Sequence, residues 1–212
     1  MAIISASILA ADLSRLKEEL ERVNSFIDEI HLDVMDGHFV PNLTFGYPMI
    51  ETLRTFTDLP IDAHLMVTNP DDHIKLFIEK GATRVTIHQE TCYHLHRNVE
   101  LIKSLGAEAF VAVNPATSIY TLEEILSYAD GILVMTVNPG FSGQKFIPTM
   151  MEKIKHLNEI RKERNLSFKI AVDGGVGNSN AQDLINIGVN ILVMGYGVFR
   201  NDKLHELNKF RM

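Results

Sequence analysis

Four residues combine metal-ligand chemistry with strand-like spacing. In the stretch Ile30-His31-Leu32-Asp33-Val34-Met35 apolar and polar residues alternate, so His31, Asp33 and Met35 share one face of a strand. The continuation Asp36-Gly37-His38-Phe39-Val40-Pro41-Asn42 is loop-like. A histidine and an aspartate on an apolar strand are costly to bury without partners. Either ordinary hydrogen bonds satisfy them or they face a metal. His64 lies in a second apolar run, residues 61–67, and Asp173 directly follows a third, residues 168–172. Two imidazoles and two carboxylates suit Zn²⁺, Fe²⁺, Mn²⁺ or Co²⁺ and leave a divalent site near neutrality. No short metal motif such as His-Glu-x-x-His accompanies them, so only folding can unite residues from three strands. His38, His73, His94, His96, His156 and His205 read as surface histidines, and His88 as a residue of the pocket or of its hydrogen-bonded rim.

A second set of residues suits phosphate. Asn138-Pro139-Gly140-Phe141-Ser142-Gly143-Gln144, Asp173-Gly174-Gly175-Val176 and Gly195-Tyr196-Gly197 each follow a strand-like run. Glycine lets backbone N–H groups approach an anion closely. One such turn is ordinary; three after successive strands describe a phosphate cradle.

The elements that must position these residues follow from periodicity. Apolar runs at 3–8, 29–34, 61–67, 84–88, 109–113, 131–137, 168–172 and 190–194 alternate with amphipathic segments. Among these, 13–23 carries Leu13, Leu16, Leu20 and Val23 at helical spacing, and 151–161 carries Ile154, Leu157 and Ile160. Gly81, Gly106 and Gly188 read as helix stops. Eight β-then-α units predict a (β/α)8 TIM barrel of the α/β class, a single domain over 1–212, with an open doubly wound sheet as the alternative. Polar residues cluster at the C-terminal ends of the strands (Ser7, Asp33, His64, His88, Asn114, Asp173), which is where barrels carry their chemistry.

Composition narrows the function. The chain has 212 residues, 46% of them hydrophobic, enough for a sizeable core, and a formal net charge of −7. With no basic run, nucleic acid and anionic membrane surfaces are unexpected partners. No stretch reaches the roughly 18 apolar residues of a membrane span. The lone Cys92 fits a reducing compartment, so a cytoplasmic location is expected.

These stretches together resemble the ribulose-phosphate 3-epimerase family of the ribulose-phosphate-binding barrels. The match runs through Ser7-Ile8-Leu9-Ala10-Ala11-Asp12, the His31–Gly37 stretch with Phe39-Val40-Pro41-Asn42, and Asp62-Ala63-His64-Leu65-Met66. It continues through Val137 to Gln144 and Val172 to Val176, in family order over nearly the whole chain. The resemblance implies a metal-dependent isomerase interconverting D-ribulose 5-phosphate and D-xylulose 5-phosphate through a cis-enediolate. His31, Asp33, His64 and Asp173 match the family's metal ligands, and Asp33 and Asp173 also its acid/base pair. Ser7 and His64 match substrate contacts. Gly140, Phe141, Ser142, Gly143, Gly174, Gly175, Gly195 and Tyr196 match the surroundings of the substrate phosphate, and Met35, Met66 and Met135 the pocket lining. The expected partners are a small-molecule ketose phosphate and further copies of the chain in a homo-oligomer.

Tyr196 departs from the family's usual serine. Its hydroxyl lies too far from its own backbone to copy a serine contact, while the backbone N–H remains. A D-allulose 6-phosphate 3-epimerase with the same mechanism, and a non-catalytic sugar-phosphate-binding barrel, are the other readings. A Schiff-base aldolase would need a lysine at a strand's C-terminal end, and Lys169 lies at the start of its strand.

Overall fold

The computed structural model describes residues 1–211. Eight parallel strands close on themselves in sequence order, β1 (Ile3–Ser7), β2 (Glu29–Met35), β3 (Ile61–Met66), β4 (Arg84–His88), β5 (Glu108–Val113), β6 (Gly131–Met135), β7 (Lys169–Asp173) and β8 (Ile191–Met194). β1 pairs with β8 through Ile3↔Ile191 to Ala6↔Met194, which seals the (β/α)8 barrel. Strands β2, β3, β4 and β6 are buried along their whole length, as expected when helices cover the outside and side chains fill the inside.

The helices form where an apolar stripe meets the strands. α1 (Leu16–Val23) buries Leu16, Leu20 and Val23, and α5 (Met150–Glu163) buries Met150, Ile154 and Leu157. Shorter helices, α2 (Tyr47–Arg54), α3 (Ile74–Glu79), α4 (Leu95–Ser104), α6 (Ala181–Asn186) and α7 (Tyr196–Phe199), complete the cover.

Three sequence expectations need correction. Leu13 does not join the α1 stripe: the Asp12 side chain accepts from the Ser14 N–H, and the chain enters through a 3₁₀ turn, Leu13–Arg15, that leaves Leu13 half exposed. The crossover between β5 and β6 holds no α-helix among the described residues. Its core-facing Ile119, Leu122 and Ile125 ride on a 3₁₀ turn (Ile119–Leu122) and the turns that follow. β6 also stops at Met135 rather than at Val137, because the Thr136 hydroxyl turns to the Asp173 and Gly174 carbonyls.

Alternate residues of each strand face the barrel interior, which splits into two ends. At the N-terminal end Arg84 donates to Glu29 (2.7 Å) and Glu108 (2.7–2.9 Å) and stacks over Phe110 at 4.3 Å, while Lys169 reaches Glu108 at 2.6 Å. At the C-terminal end the interior turns to histidine, aspartate and methionine. No helix among the described residues is long and apolar enough to cross a membrane.

Candidate active site

The parallel register of β2 and β3 sets Asp33 beside His64 and His31 beside Asp62. Because inward residues repeat every second position, this pairing delivers two imidazoles and a carboxylate to one spot inside the barrel. His31 Nε2 lies 3.1 Å from His64 Nδ1, and both nitrogens lie within 3.2–3.3 Å of Asp33 Oδ1. Barrel closure adds Asp173 from the end of β7, with its Oδ2 3.9 Å from each of the two nitrogens. One ligand atom from each of the four residues lies within 4.8 Å of all the others.

This donor set fits a divalent cation. Bonds of about 2.1 Å to a tetrahedral centre put neighbouring ligand atoms roughly 3.4 Å apart, close to the separations found. The tautomers agree as well. His31 Nδ1 lies 3.0 Å from Asp62 Oδ2, and a carboxylate can only accept, so Nδ1 carries a proton and Nε2 is the nitrogen a cation would take, displacing the second proton that the raised affinity of His31 puts there. Asp62 is itself held by the Thr86 hydroxyl at 2.8 Å. Such outer partners are what orient metal-binding histidines.

The two aspartates live in different electrostatic surroundings. Burial works to raise the proton affinity of Asp33, but the charge and hydrogen bonds of His31 and His64 overcome it and hold the carboxyl well below the usual range. Asp33 Oδ2 also accepts the Ser7 hydroxyl at 2.7 Å. Burial, with the like charge of Asp33 second, pushes Asp173 up to about 7. His31 is raised well above its ordinary value, because Asp33 and Asp62 outweigh the burial that opposes its charge. Burial holds His88 down to about 4.

A cavity of about 250 Å³ opens above the cluster at the C-terminal end of the strands. Asp33 and Asp173 both border it, with Ser7, Met35, Met66 and Met135 on its wall. Gly140, Phe141, Ser142, Gly143, Gly174, Gly175, Gly195 and Tyr196 border it too, so the structure gathers the three glycine-containing turns around one space. His31 and His64 are fully buried beneath the carboxylates and do not line it. Glycine is required in the second turn. Gly174 has φ +117°, and a Cβ there would sit 2.4 Å from Val137; at Gly175, φ +65°, it would sit 2.3 Å from the Phe146 nitrogen. The turn after β6 is tied by Gln144, which donates to the Asn138 (2.6 Å) and Phe141 (3.0 Å) carbonyls, and by Asn42, which donates to Gly140 (3.2 Å). The Tyr196 ring lies against Gly143, where a Cβ would come within 3.0 Å of it.

Leu9, Gly177 and Ser179 border the cavity without having been singled out in the sequence. Asp62 and Glu90 went unassigned there for a different reason: nothing local marks a carboxylate that meets a histidine one strand away. His88 proves fully buried, 2.8 Å from His64. Of the remaining histidines, His73 is half-buried and the others are exposed.

Fold and site together define a barrel with a buried two-histidine, two-aspartate cluster beneath a glycine-edged cavity. The same architecture occurs in the tryptophan synthase α-subunit of Pyrococcus furiosus, which superposes with a TM-score of 0.68, covering 99% of this chain and 94% of that one, at 14% identity, a likeness of fold alone. Sequence relatives are far nearer. A ribulose-phosphate 3-epimerase of Aquifex aeolicus is 46% identical across 94% of this chain and 90% of its own length, and that of Bacillus subtilis 43% across 98% and 97%. The chloroplastic ribulose-5-phosphate-3-epimerase of Arabidopsis thaliana is 46% identical across 93% of this chain and 71% of its own length. Residues 3–199 match the model of the ribulose-phosphate 3 epimerase family, and the chain belongs to that family.

Proposed function

We propose that this protein is a ribulose-phosphate 3-epimerase, interconverting D-ribulose 5-phosphate and D-xylulose 5-phosphate. One observation carries the reading beyond family membership: two carboxylates from different strands, Asp33 of β2 and Asp173 of β7, border a single cavity. Inverting the carbon beside a ketone needs a base on one face of the sugar and an acid on the other. At neutral pH Asp33 is ionised and removes the proton as the C–H electron pair moves toward the carbonyl oxygen. Asp173 holds a proton to return to the opposite face of the planar enediolate. The reverse reaction exchanges the two roles, and the atoms balance with no co-reactant. A positioned acid/base pair of this kind contributes about 10²–10⁴-fold in rate.

Zn²⁺, Fe²⁺, Mn²⁺ or Co²⁺ held by His31, Asp33, His64 and Asp173 would supply Lewis-acid stabilisation of the negative charge that develops on the sugar oxygens. Ser7 orients Asp33 through its hydroxyl. Met35, Met66 and Met135 give the sugar an apolar, adaptable wall. The turns at Gly140–Gly143, Gly174–Gly175 and Gly195–Tyr196 hold the phosphate, and that remote binding keeps the reacting carbon between the carboxylates. The reading includes a cytoplasmic homo-oligomer, for which light scattering would return a multiple of the 23.9 kDa chain mass.

A coupled assay on D-ribulose 5-phosphate, before and after chelation, tests the proposal, with D-allulose 6-phosphate run in parallel. Turnover of the pentulose that chelation abolishes and a divalent metal restores is the expected result. Preference for the hexulose would move the substrate and keep the chemistry, and turnover of neither would overturn the reading.

A further inference from the structure

We propose that His88 and Glu90, neither of them in the ligand set, form a positioning relay that fixes the tautomer and ring plane of His64. The inference rests on the reading of the His31, Asp33, His64 and Asp173 cluster as a metal site, and it concerns how that site is held.

The argument runs through proton placement. Glu90 Oε2 lies 3.2 Å from His88 Nδ1, and a carboxylate only accepts, so that nitrogen carries a proton. His88 Nε2 lies 2.8 Å from His64 Nε2, a contact that needs one proton between two nitrogens. A neutral His88 has already placed its proton on Nδ1, so His64 Nε2 is the donor. His64 Nδ1 is then left bare, and this is the nitrogen that faces Asp33 Oδ1 at 3.2 Å and His31 Nε2 at 3.1 Å. His31 is set by a carboxylate directly; His64 is set by a carboxylate acting through a second imidazole.

The relay is anchored where a fixed tautomer requires it. The two ring planes lie 17° from parallel with centroids 5.0 Å apart, so the 2.8 Å N···N contact runs edge to edge, and Phe39 packs on His88 at 4.7 Å. Glu90 Oε1 accepts the Asn114 N–H at 2.8 Å and the Thr117 hydroxyl. The segment carrying both partners is clamped by Lys153 of α5, which donates to the Asn114 (3.1 Å), Pro115 (2.7 Å) and Thr117 (2.8 Å) carbonyls. Glu90 is therefore held from the far side by groups that do not touch the cluster.

Glu90→Gln tests the relay, because an amide NH₂ facing His88 favours the opposite tautomer and sends the unwanted proton to His64 Nδ1. Zinc affinity of the full-length wild type and variant is measured by competition with a chromophoric chelator, and ring ¹⁵N shifts report which nitrogen each histidine protonates. Outer partners of metal-binding histidines typically contribute about 10- to 100-fold in affinity. The expected result is a loss of that size in Glu90→Gln, with His88 carrying its proton on Nδ1 in the zinc-loaded wild type. Equal affinity in the two proteins would overturn the relay and leave the metal site standing. A wild type that binds no zinc would overturn both. If Glu90→Gln unfolds, the wild-type shifts decide: a His88 proton on Nε2 overturns the proposal and one on Nδ1 upholds it.

Discussion

Asp33 and Asp173 have the same side chain, and their neighbours alone set their proton affinities apart. Asp33 sits against two imidazoles and the Ser7 hydroxyl, whereas Asp173 stands at the end of β7 facing the charge of Asp33. Asp173→Asn keeps the shape and removes the proton, so kcat should fall by about 10²–10⁴-fold while the far-ultraviolet circular dichroism stays that of the wild type. Turnover within a few-fold of wild type would sink the two-carboxylate mechanism. At the other end of the cavity the residue that matters has no side chain. An alanine at Gly175 needs a left-handed backbone and places its Cβ 2.3 Å from the Phe146 nitrogen, so the turn after β7 must move. Gly175→Ala should therefore raise KM for the phosphorylated substrate at least tenfold, about 1.4 kcal/mol of binding, with a much smaller change in kcat, read from steady-state kinetics.

The loops at the strand ends are held by capping contacts, and Asp36 is the clearest. Its carboxylate accepts the backbone N–H groups of His38 (2.8 Å), Phe39 (3.0 Å) and Thr68 (2.7 Å), joining the turn after β2 to the turn after β3. Burial opposes its ionisation, but these donors win and bring it down to about 2. A carboxyl depressed in the folded state stabilises the fold above its unfolded value of 3.8, and that contribution is lost as pH falls through about 2. Asp36→Ala should be less stable than wild type at pH 7, and the gap should narrow steadily below pH 4; denaturant melts at several pH values measure it. Elements of this kind were legible in unequal degree. Strand alternation exposed His31 and Asp33 as inward residues, and the polar ends of apolar runs marked the working end of the barrel, because both signals are local. The β5–β6 crossover was not distinguishable from a helix, since Ile119, Leu122 and Ile125 keep a three-residue spacing that 3₁₀ and α turns share. The His64–His88 contact was out of reach for another reason. It depends on the β3–β4 register, in which His64 pairs with Thr86 and the ring of His88 arrives from two residues further on.

Across the whole molecule the barrel separates stability from chemistry along its axis. Both ends bury charge, but the C-terminal cluster leaves lone pairs for a ligand, whereas the N-terminal one satisfies its charges within the protein. There Arg84 is buried and holds Glu29, itself only 3% exposed, while its guanidinium also covers the Phe110 ring. Burial raises the proton affinity of Glu29 even with Arg84 in place, so the carboxylate depends on that one cation. Gly131 leaves the space that Phe110 occupies, since a Cβ there would lie 2.2 Å from the ring, and the plug has little freedom to repack. Removing one member of a buried ion pair costs about 3–5 kcal/mol, because the partner stays behind uncompensated. Arg84→Met keeps much of the volume and removes the charge, so urea unfolding of the metal-free protein should show a loss of that size. Zinc affinity of the folded variant should stay within about threefold of wild type, because the His31, Asp33, His64 and Asp173 ligand atoms lie at the opposite end of the strands. A large loss of zinc affinity in Arg84→Met would mean that the two ends are coupled through Asp62, which Arg84 also influences electrostatically, and the division along the axis would fail.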